Sequence, residues 1–375
     1  MKIYRIISGT KLYSFGDDIG AVPILASTLG ETQNQIVRHH GFLITDVSKE
    51  EDISDRTYLV FREDLFFTDT FFSEILKKVK EATSSLQFSL AQNDFNQRYI
   101  LPFSKEEKGD YRFDFKYIHD RKEVKPCYLP QKLYEFDVIL PEQIVKGRRF
   151  PMPQCACFAA PIISPFHLLQ VNIALNLNRS IKIQQGTLKG YFKHLKGRLG
   201  VFFFTRGLKR LNKIGKNCFI HPSAIIEGSV IGNNVRIGAN SIVRMSYIGD
   251  DCSISDNVVV TNSVLANKTY ISNSNYIELC MTYEEAFLIH GPYQFSIFGK
   301  NSACFAVINC DFRLDQQNIK IPTSIGVIDS QQPLLGIAYG HRSKTGGGSI
   351  IAAGRIVPND LFIHPPGSIH LKFDQ

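Results

Sequence analysis

SVIGNNVRIGANSIV, residues 229–243, places isoleucine at 231 and 237 and valine at 243, each six residues after the last. A helix repeats its apolar face every three to four residues and a strand every two, so a step of six belongs to neither. The same step runs through Ile214, Ile220, Ile226; Ile231, Ile237, Val243; Ile248, Ile254, Val260; and Leu265, Ile271, Ile277. Between triplets the step drops to five, so each triplet starts 17 residues after its predecessor. Three short strands per turn, each sending one aliphatic side chain inward, satisfy this period. Small or αL-tolerant residues such as Gly232, Asn233, Asn234, Gly238, Asn240, Gly249 and Asp250 suit the corners.

The period therefore predicts a left-handed parallel β-helix of hexapeptide repeats over 214–375. It fails at LCMTYEEAFLIHGPYQ (279–294) and again at 316–333. Both stretches are expected to be loop insertions, the places where a rigid scaffold usually carries function. Ile350, Ile356 and Phe362 restore the six-residue step near the end.

Residues 1–165 read differently. RTYLVFREDLFF (56–67) has the composition of a strand, with Thr68 or Asp69 as helix cap. TFFSEILKKVKEA follows, with a helical apolar face at Phe71, Phe72, Ile75, Leu76 and Val79. SPFHLLQVNIALNLN (164–178) predicts a further helix. Strand followed by helix suggests an α/β layer. Three regions result: an α/β domain over 1–165, a basic helical linker over 166–213, and the coil with its two insertions over 214–375.

Charge separates these regions. The 375-residue chain carries a net charge of +8, yet no Asp or Glu occurs from Gln143 through Ile226, where fourteen lysines and arginines fall between Lys146 and Lys216. Like charges packed this densely need anions or water. TLKGYFKHLKGRLGVFFFTRGLKRLNK (187–213) could be a solvated helix, a site for phosphates, or a helix lying on an anionic membrane with its phenylalanines dipping in. No recognition motif accompanies the charge, so nucleic acid is not an expected partner. MKIYRIISGT lacks the apolar core of a signal peptide, and no apolar run is long enough to span a bilayer. The expected location is the cytoplasm, with peripheral contact at the inner membrane face as the extended reading. Eight cysteines, with Cys155 and Cys157 as a lone C-x-C, predict reduced thiols without a zinc site.

Several segments together resemble the sugar-1-phosphate nucleotidylyltransferases fused to a left-handed β-helix, the group that includes bifunctional N-acetylglucosamine-1-phosphate uridylyltransferase/glucosamine-1-phosphate acetyltransferases. NSACFAVINCDFRLDQQNIKI (301–321) is similar to that family's Asn-Leu-Gly-Ala-Gly-Thr-Ile segment leading to Asn-Leu-Arg-Phe-Asp. Arg313 and Asp315 match, whereas Cys304, Phe305 and Ala306 replace the Gly-Ala-Gly. LLGIAYGHRSKTGGGSIIAAGRIVP (334–358) resembles the lysine-threonine-glycine coil at Lys344, Thr345 and Gly346. ISGTKL (7–12) resembles a shortened phosphate loop with Lys11 in the arginine position, and VPILASTLGETQ (22–33) the segment after it. LVFREDLFF (59–67) resembles the strand ending in the metal-binding aspartate, Asp64 here, and SPFHLLQVNIAL the helix closing that domain.

The resemblance implies a transferase of sugar-nucleotide or cell-envelope metabolism, acting on a sugar phosphate or sugar nucleotide as a homotrimer. Acetyl-CoA or another acyl-CoA would be the donor for acyl transfer, and Mg²⁺ at Asp64 would serve nucleotidyl transfer. Nucleotidyl transfer needs backbone N–H groups around a triphosphate and carboxylates for Mg²⁺, and here one glycine, Gly9, is left in the loop. Acyl transfer needs a general base, supplied in the family by His-x-x-Tyr. The 17-residue register puts Asn273 and Tyr276 at that place, and asparagine cannot take a proton. Past the interruption, His290 and Tyr293 have the right spacing. His341, beside Arg342 and Lys344, is a second candidate base. Both readings stay open at this stage: an acyl- or nucleotidyltransferase, and a catalytically inactive sugar-nucleotide-binding or membrane-associated scaffold. Retained Arg313, Asp315 and Lys344-Thr345-Gly346 favour the first; the eroded loop favours the second.

Overall fold

The structure, a computed structural model, describes residues 1–100, 110–135, 137–179, 181 and 211–364. It divides into two compact units: residues Met1–Phe203 with Leu314–Pro333, and Phe204–Arg313 with Leu334–Gln375.

The first unit is built on a six-stranded mixed sheet. Lys2–Ile6 lies between Ile44–Val47 and Thr57–Arg62, parallel to both. Thr57–Arg62 then pairs antiparallel with Asp110–His119, which pairs antiparallel with Ser85–Ala91, and Val124–Tyr128 closes the edge in parallel. The expected strand at 56–67 is two strands, Thr57–Arg62 and Leu65–Phe67, broken by a turn at Glu63-Asp64. Helix α1 spans Leu29–His39, capped by Thr28, whose hydroxyl accepts from the Glu31 N–H while the Glu31 carboxylate accepts from the Thr28 N–H. Helix α2 spans Asp69–Glu81 behind the Thr68 cap and buries Phe71, Phe72 and Ile75. These rings join Phe61, Phe67, Phe88 and Phe115 in an aromatic core, with Phe61 and Phe115 centred 5.1 Å apart. Helix α3 is Asp94–Tyr99.

Helix α4, Pro165–Asn178, begins at the Ser164 cap and is buried along nearly its whole length. The expected linker therefore does not start at 166: a helix buried on nearly all sides, its His167, Gln170, Asn172 and Asn176 included, belongs to a core. Of the basic segment 187–213, only 211–213 fall within the described residues. Segment Leu314–Pro333 leaves the coil sequence and forms an antiparallel hairpin, Lys320–Thr323 with Gly326–Asp329, that belongs to the first unit.

The second unit is a parallel coil of two eight-stranded sheets, the first starting at Lys213–Ile214 and the second at Phe219–Ile220, with a five-stranded one and a two-stranded pair, Ile308–Asn309 with Ile350–Ile351. The triplets fall as the period predicts: Ile231 pairs with Ile248, Ile237 with Ile254, and Val243 with Val260, all buried. The expected loop at 279–294 is instead coil. Met281–Thr282, Phe287–Ile289 and Tyr293–Gln294 each pair with the strand one turn below. Tyr293 lies opposite Ile277, 16 residues on, so one residue lost at a corner ends the visible period without interrupting the structure. Among the described residues, no helix is long and apolar enough to cross a membrane.

Candidate functional site

The loop resembling a phosphate cradle is occupied by a side chain of its own chain. Gly9 takes φ +66°, turning the backbone so that neighbouring N–H groups converge. The groups they meet belong to Glu63: its Oε1 accepts from the Ser8 N–H at 2.8 Å, the Thr10 N–H at 3.1 Å and the Ser8 hydroxyl at 2.8 Å. Converging N–H groups of this kind attract an anion, and a buried carboxylate already supplies the charge. Lys11 is exposed, with Nζ 3.9 Å from Asp18 Oδ1.

Asp64 does not fit the expected Mg²⁺. Its two carboxylate oxygens receive Arg62 Nε at 3.2 Å and Arg62 Nη2 at 3.0 Å. Burial pushes its pKa up, an effect only partly offset by the Arg62 guanidinium. A magnesium ion needs carboxylate oxygens open to it and its waters, and these two are enclosed and paired with a cation.

On the coil, the His290/Tyr293 pair divides across the wall. Tyr293 points inward at zero exposure, and its hydroxyl donates to the Ile289 carbonyl at 2.9 Å. Burial raises its pKa, so the phenol stays protonated. His290 takes the left-handed conformation at the corner, φ 54°, and is exposed. The expected pairing of the two as base and substrate contact is thereby corrected, because the tyrosine is core.

Register-matched Asn273 is a corner strut, its Oδ1 accepting from the Asp256 N–H at 3.1 Å. Tyr276 is partly exposed and donates to Glu278 Oε2 at 2.6 Å, and Gln294 Nε2 donates to the same oxygen at 2.9 Å. Burial first, and the Glu278 carboxylate second, raise the Tyr276 pKa. Sequence reasoning singled out neither Glu278 nor Gln294. The signal was the register, since both lie on the outward column that contains Thr261.

His341 also belongs to a strut. Along one corner, Lys216 N–H donates to Asn233 Oδ1, Asn233 N–H to Asp250 Oδ1, and Asp250 N–H to Asn267 Oδ1, at 2.6–2.9 Å. Further along, Lys300 N–H donates to His341 Nδ1 at 2.8 Å and His341 N–H to Asn359 Oδ1 at 2.7 Å. An imidazole thus fills an asparagine position, and accepting at Nδ1 fixes the neutral ring's proton on Nε2. The ring is buried against the Tyr283 ring, 4.9 Å away. His341 is therefore corrected from candidate base to structural rung.

Lys344 is exposed on the second sheet with its Nζ 5.2 Å from the centre of the Phe362 ring. Thr345 points into the core, where its hydroxyl finds no hydrogen-bond partner among the described residues. Gly346 N–H donates to the Ile363 carbonyl at 2.9 Å. Arg313 closes one coil segment, and exposed Asp315, whose Oδ1 accepts from the Gln317 N–H, lies in the first unit. On the second sheet Tyr270, Phe287 and Phe305 form an outward aromatic row, with ring centres 5.0 and 5.8 Å apart. His290 follows directly on the strand Phe287–Ile289 of that row.

Comparison with known proteins bears on the coil. Residues 213–244 match the family described as bacterial transferase hexapeptide (six repeats). A search of curated proteins found no match. Among solved structures, a mutant of GDP-perosamine N-acetyltransferase from Caulobacter crescentus, in complex with CoA and GDP-perosamine, is 14% identical, with 50% of this chain and 70% of that one covered at a TM-score of 0.21. A structure of PerB from the same organism, also with CoA and GDP-perosamine, is 13% identical over 50% of this chain and 71% of that one, at a TM-score of 0.20. At these TM-scores the likeness carries no argument about this chain. Residues 213–244 are hexapeptide repeat by sequence, and the paired strands continue that coil to Ile363.

Proposed function

We propose that the chain is an acyltransferase of sugar-nucleotide metabolism, working from the outer surface of the coil. The observation that carries this reading is His290: an exposed imidazole at a corner of a hexapeptide coil, at the end of the Phe287–Ile289 strand. A general base must be accessible and free to take a proton. Two other histidines of the coil are less suited, His341 being a buried rung and His221 engaged at Nδ1 by the Ser223 hydroxyl, 2.8 Å away. In the proposed reaction, His290 takes a proton from an amine or hydroxyl of the acceptor as that group attacks the thioester carbonyl of an acyl-CoA, and the thiol leaves. The Phe287 and Phe305 rings offer an apolar surface to the donor, and Lys344 a charge for a phosphate. Tyr276, tied to Glu278, is proposed as an acceptor contact. A homotrimer and a sugar-nucleotide acceptor remain part of the proposal, as does membrane contact through the basic segment. Nucleotidyl transfer is left out of it, because Glu63 occupies the loop and Arg62 the aspartate.

The test is release of free thiol from acetyl-CoA in the presence of a panel of amino-sugar nucleotides. His290→Ala is expected to lower turnover by about 10²–10⁴, the usual contribution of a general base, with an unchanged thermal midpoint. Wild-type turnover in that variant would remove His290 from the reaction. No turnover in the parent chain with any acceptor would favour the second reading, an inactive sugar-nucleotide-binding scaffold. That reading has its own observation: the register-matched base position holds Asn273, engaged in the corner ladder.

A further inference from the structure

In the first unit, two imidazoles and a carboxylate meet at a point that the coil chemistry does not involve. His39 Nδ1 lies 2.8 Å and His40 Nε2 3.0 Å from the same oxygen, Asp69 Oδ1. All three ligand atoms fall within 4.8 Å of one another. We propose that His39, His40 and Asp69 form a binding site for a divalent transition-metal ion of the Zn²⁺ class, with coordination positions left open to solvent.

The backbone holds the three side chains in place. His39 ends α1 and His40 is its cap. Beyond them Gly41 turns at φ +80° and donates to the Arg38 carbonyl, while Phe42 N–H returns to the Val37 carbonyl. This closure fixes where the two consecutive rings emerge. His40 is held further by an edge-on contact with Phe72, ring centres 5.3 Å apart, and Phe72 is fully buried. Asp69 is the first residue of α2, positioned by the Thr68 cap, whose hydroxyl accepts from the Phe71 N–H. The ligands thus stand on two helix ends anchored in the aromatic core.

The donor set selects the ion. Two neutral imidazole nitrogens and one carboxylate suit Zn²⁺, Co²⁺, Ni²⁺ or Cu²⁺, whereas Mg²⁺ and Ca²⁺ take oxygen ligands. Metal–ligand bonds of about 2.0–2.2 Å to ligands at tetrahedral angles hold the ligand atoms about 3.3–3.6 Å apart. The observed 2.8 and 3.0 Å need to widen by roughly half an ångström. Three protein ligands leave a fourth position free, the arrangement of zinc sites that bind water or a substrate oxygen. His39 is 72% exposed, so that position faces solvent. Without an ion, the same contacts describe an electrostatic pin in which Asp69 at a helix N-terminus faces imidazoles at a helix C-terminus.

The two descriptions separate on titration of the untagged full-length chain with Zn²⁺, and with Co²⁺ for its ligand-field absorption. Expected is saturable binding with a four- or five-coordinate cobalt spectrum and a Zn²⁺-dependent rise in thermal midpoint. His39→Asn, His40→Asn and Asp69→Asn should each weaken binding by at least about tenfold, the lower end of the loss caused by removing a group that only hydrogen-bonds to a metal ligand. Since His39 is mostly exposed, His39→Asn should fold normally, and its midpoint without metal serves as control. Undetectable Zn²⁺ binding by the parent chain overturns the proposal. So does binding unaltered in all three variants, which would place the ion elsewhere, with Cys155 and Cys157 as the next place to look.

Discussion

Glu63 shows how one side chain can retire a site. Its Oε1 collects three donors from Ser8 and Thr10 in a setting only 7% exposed. Glu63→Ala would leave the Ser8 and Thr10 N–H groups without that acceptor, and because Ser8 is exposed and Thr10 half-buried, water can partly replace it. A loss of about 1–3 kcal/mol in urea unfolding is therefore expected for Glu63→Ala, at roughly 0.5–1.5 kcal/mol per hydrogen bond, with a smaller loss for Glu63→Gln, whose amide oxygen can still accept. Equal, negligible effects would mean that the loop is held by other contacts. None of this was legible in the sequence. Ser8, Gly9, Thr10 and Lys11 match a family's pattern of residue types, while what occupies the loop comes from 53–55 residues away. Asp64 misled for the same reason: its position in the strand was readable, and the Arg62 guanidinium wrapped around it was not.

At the scale of elements, the coil is where sequence and structure agree best, and the limit of that agreement has a physical cause. From Ile231 to Ile277 the inward residue of each strand in the triplets is aliphatic, and the 17-residue period is plain. Beyond Glu278 the inward positions go to Tyr293, Phe298, Cys304, Tyr339 and Thr345, with the Phe298 and Tyr339 rings stacked at 5.0 Å. An aliphatic template passes over these residues, and the single-residue shortening at His290 hides the phase as well. The corners carry their own constraint. A Cβ on Gly238 would come 2.2 Å from Asp256 Oδ1 and 2.7 Å from the Ser255 carbonyl carbon in the next turn. Gly238→Ala is therefore expected to destabilise the coil by about 1–3 kcal/mol, the usual range for overpacking, read as a lowered denaturation midpoint. Ile254→Ala, a fully buried truncation, should cost about 2–5 kcal/mol.

Helix α4 supplies a pH prediction at the same scale. Burial holds His167 down to about 3, against an ordinary value of 6.5. The folded state thus keeps the ring neutral while the unfolded chain takes up a proton below pH 6.5. Its contribution is present above that value and is lost as pH falls toward 3, at up to about 1.4 kcal/mol per pH unit. Unfolding free energies at pH 7, 6, 5 and 4 should show that slope, and His167→Phe should flatten it. A variant with an unchanged slope would assign the acid sensitivity to other groups.

At the scale of the whole molecule, chain order and structural unit part company. The first unit takes in Leu314–Pro333, so the chain passes from one unit to the other at three points rather than once. The hairpin buries Ile319 and Ile321 and brings Gln332 to helix α3, where its Oε1 accepts from Arg98 Nη1 and its Nε2 donates to the Gln97 carbonyl. Arg98 is itself buried and stacks 4.3 Å above the centre of the Phe150 ring, and desolvation lowers its pKa. A buried guanidinium depends on the acceptors it has, and hydrogen bonds to charged groups contribute about 1.5–3 kcal/mol. Gln332→Ala removes one such acceptor. For a unit of this size the midpoint should fall by about 2–4 °C per kcal/mol. The effect should also be local: hydrogen exchange is expected to accelerate in α3 and in 319–332, with the coil strands between Ile242 and Ile277 unchanged. Uniform acceleration across both regions would show that the hairpin stabilises the whole chain, and no acceleration in α3 would show that Gln332 is dispensable there. The same packing predicts that a fragment ending at residue 203 lacks part of its own first unit. Such a fragment should expose α3 to exchange even more than the single substitution does.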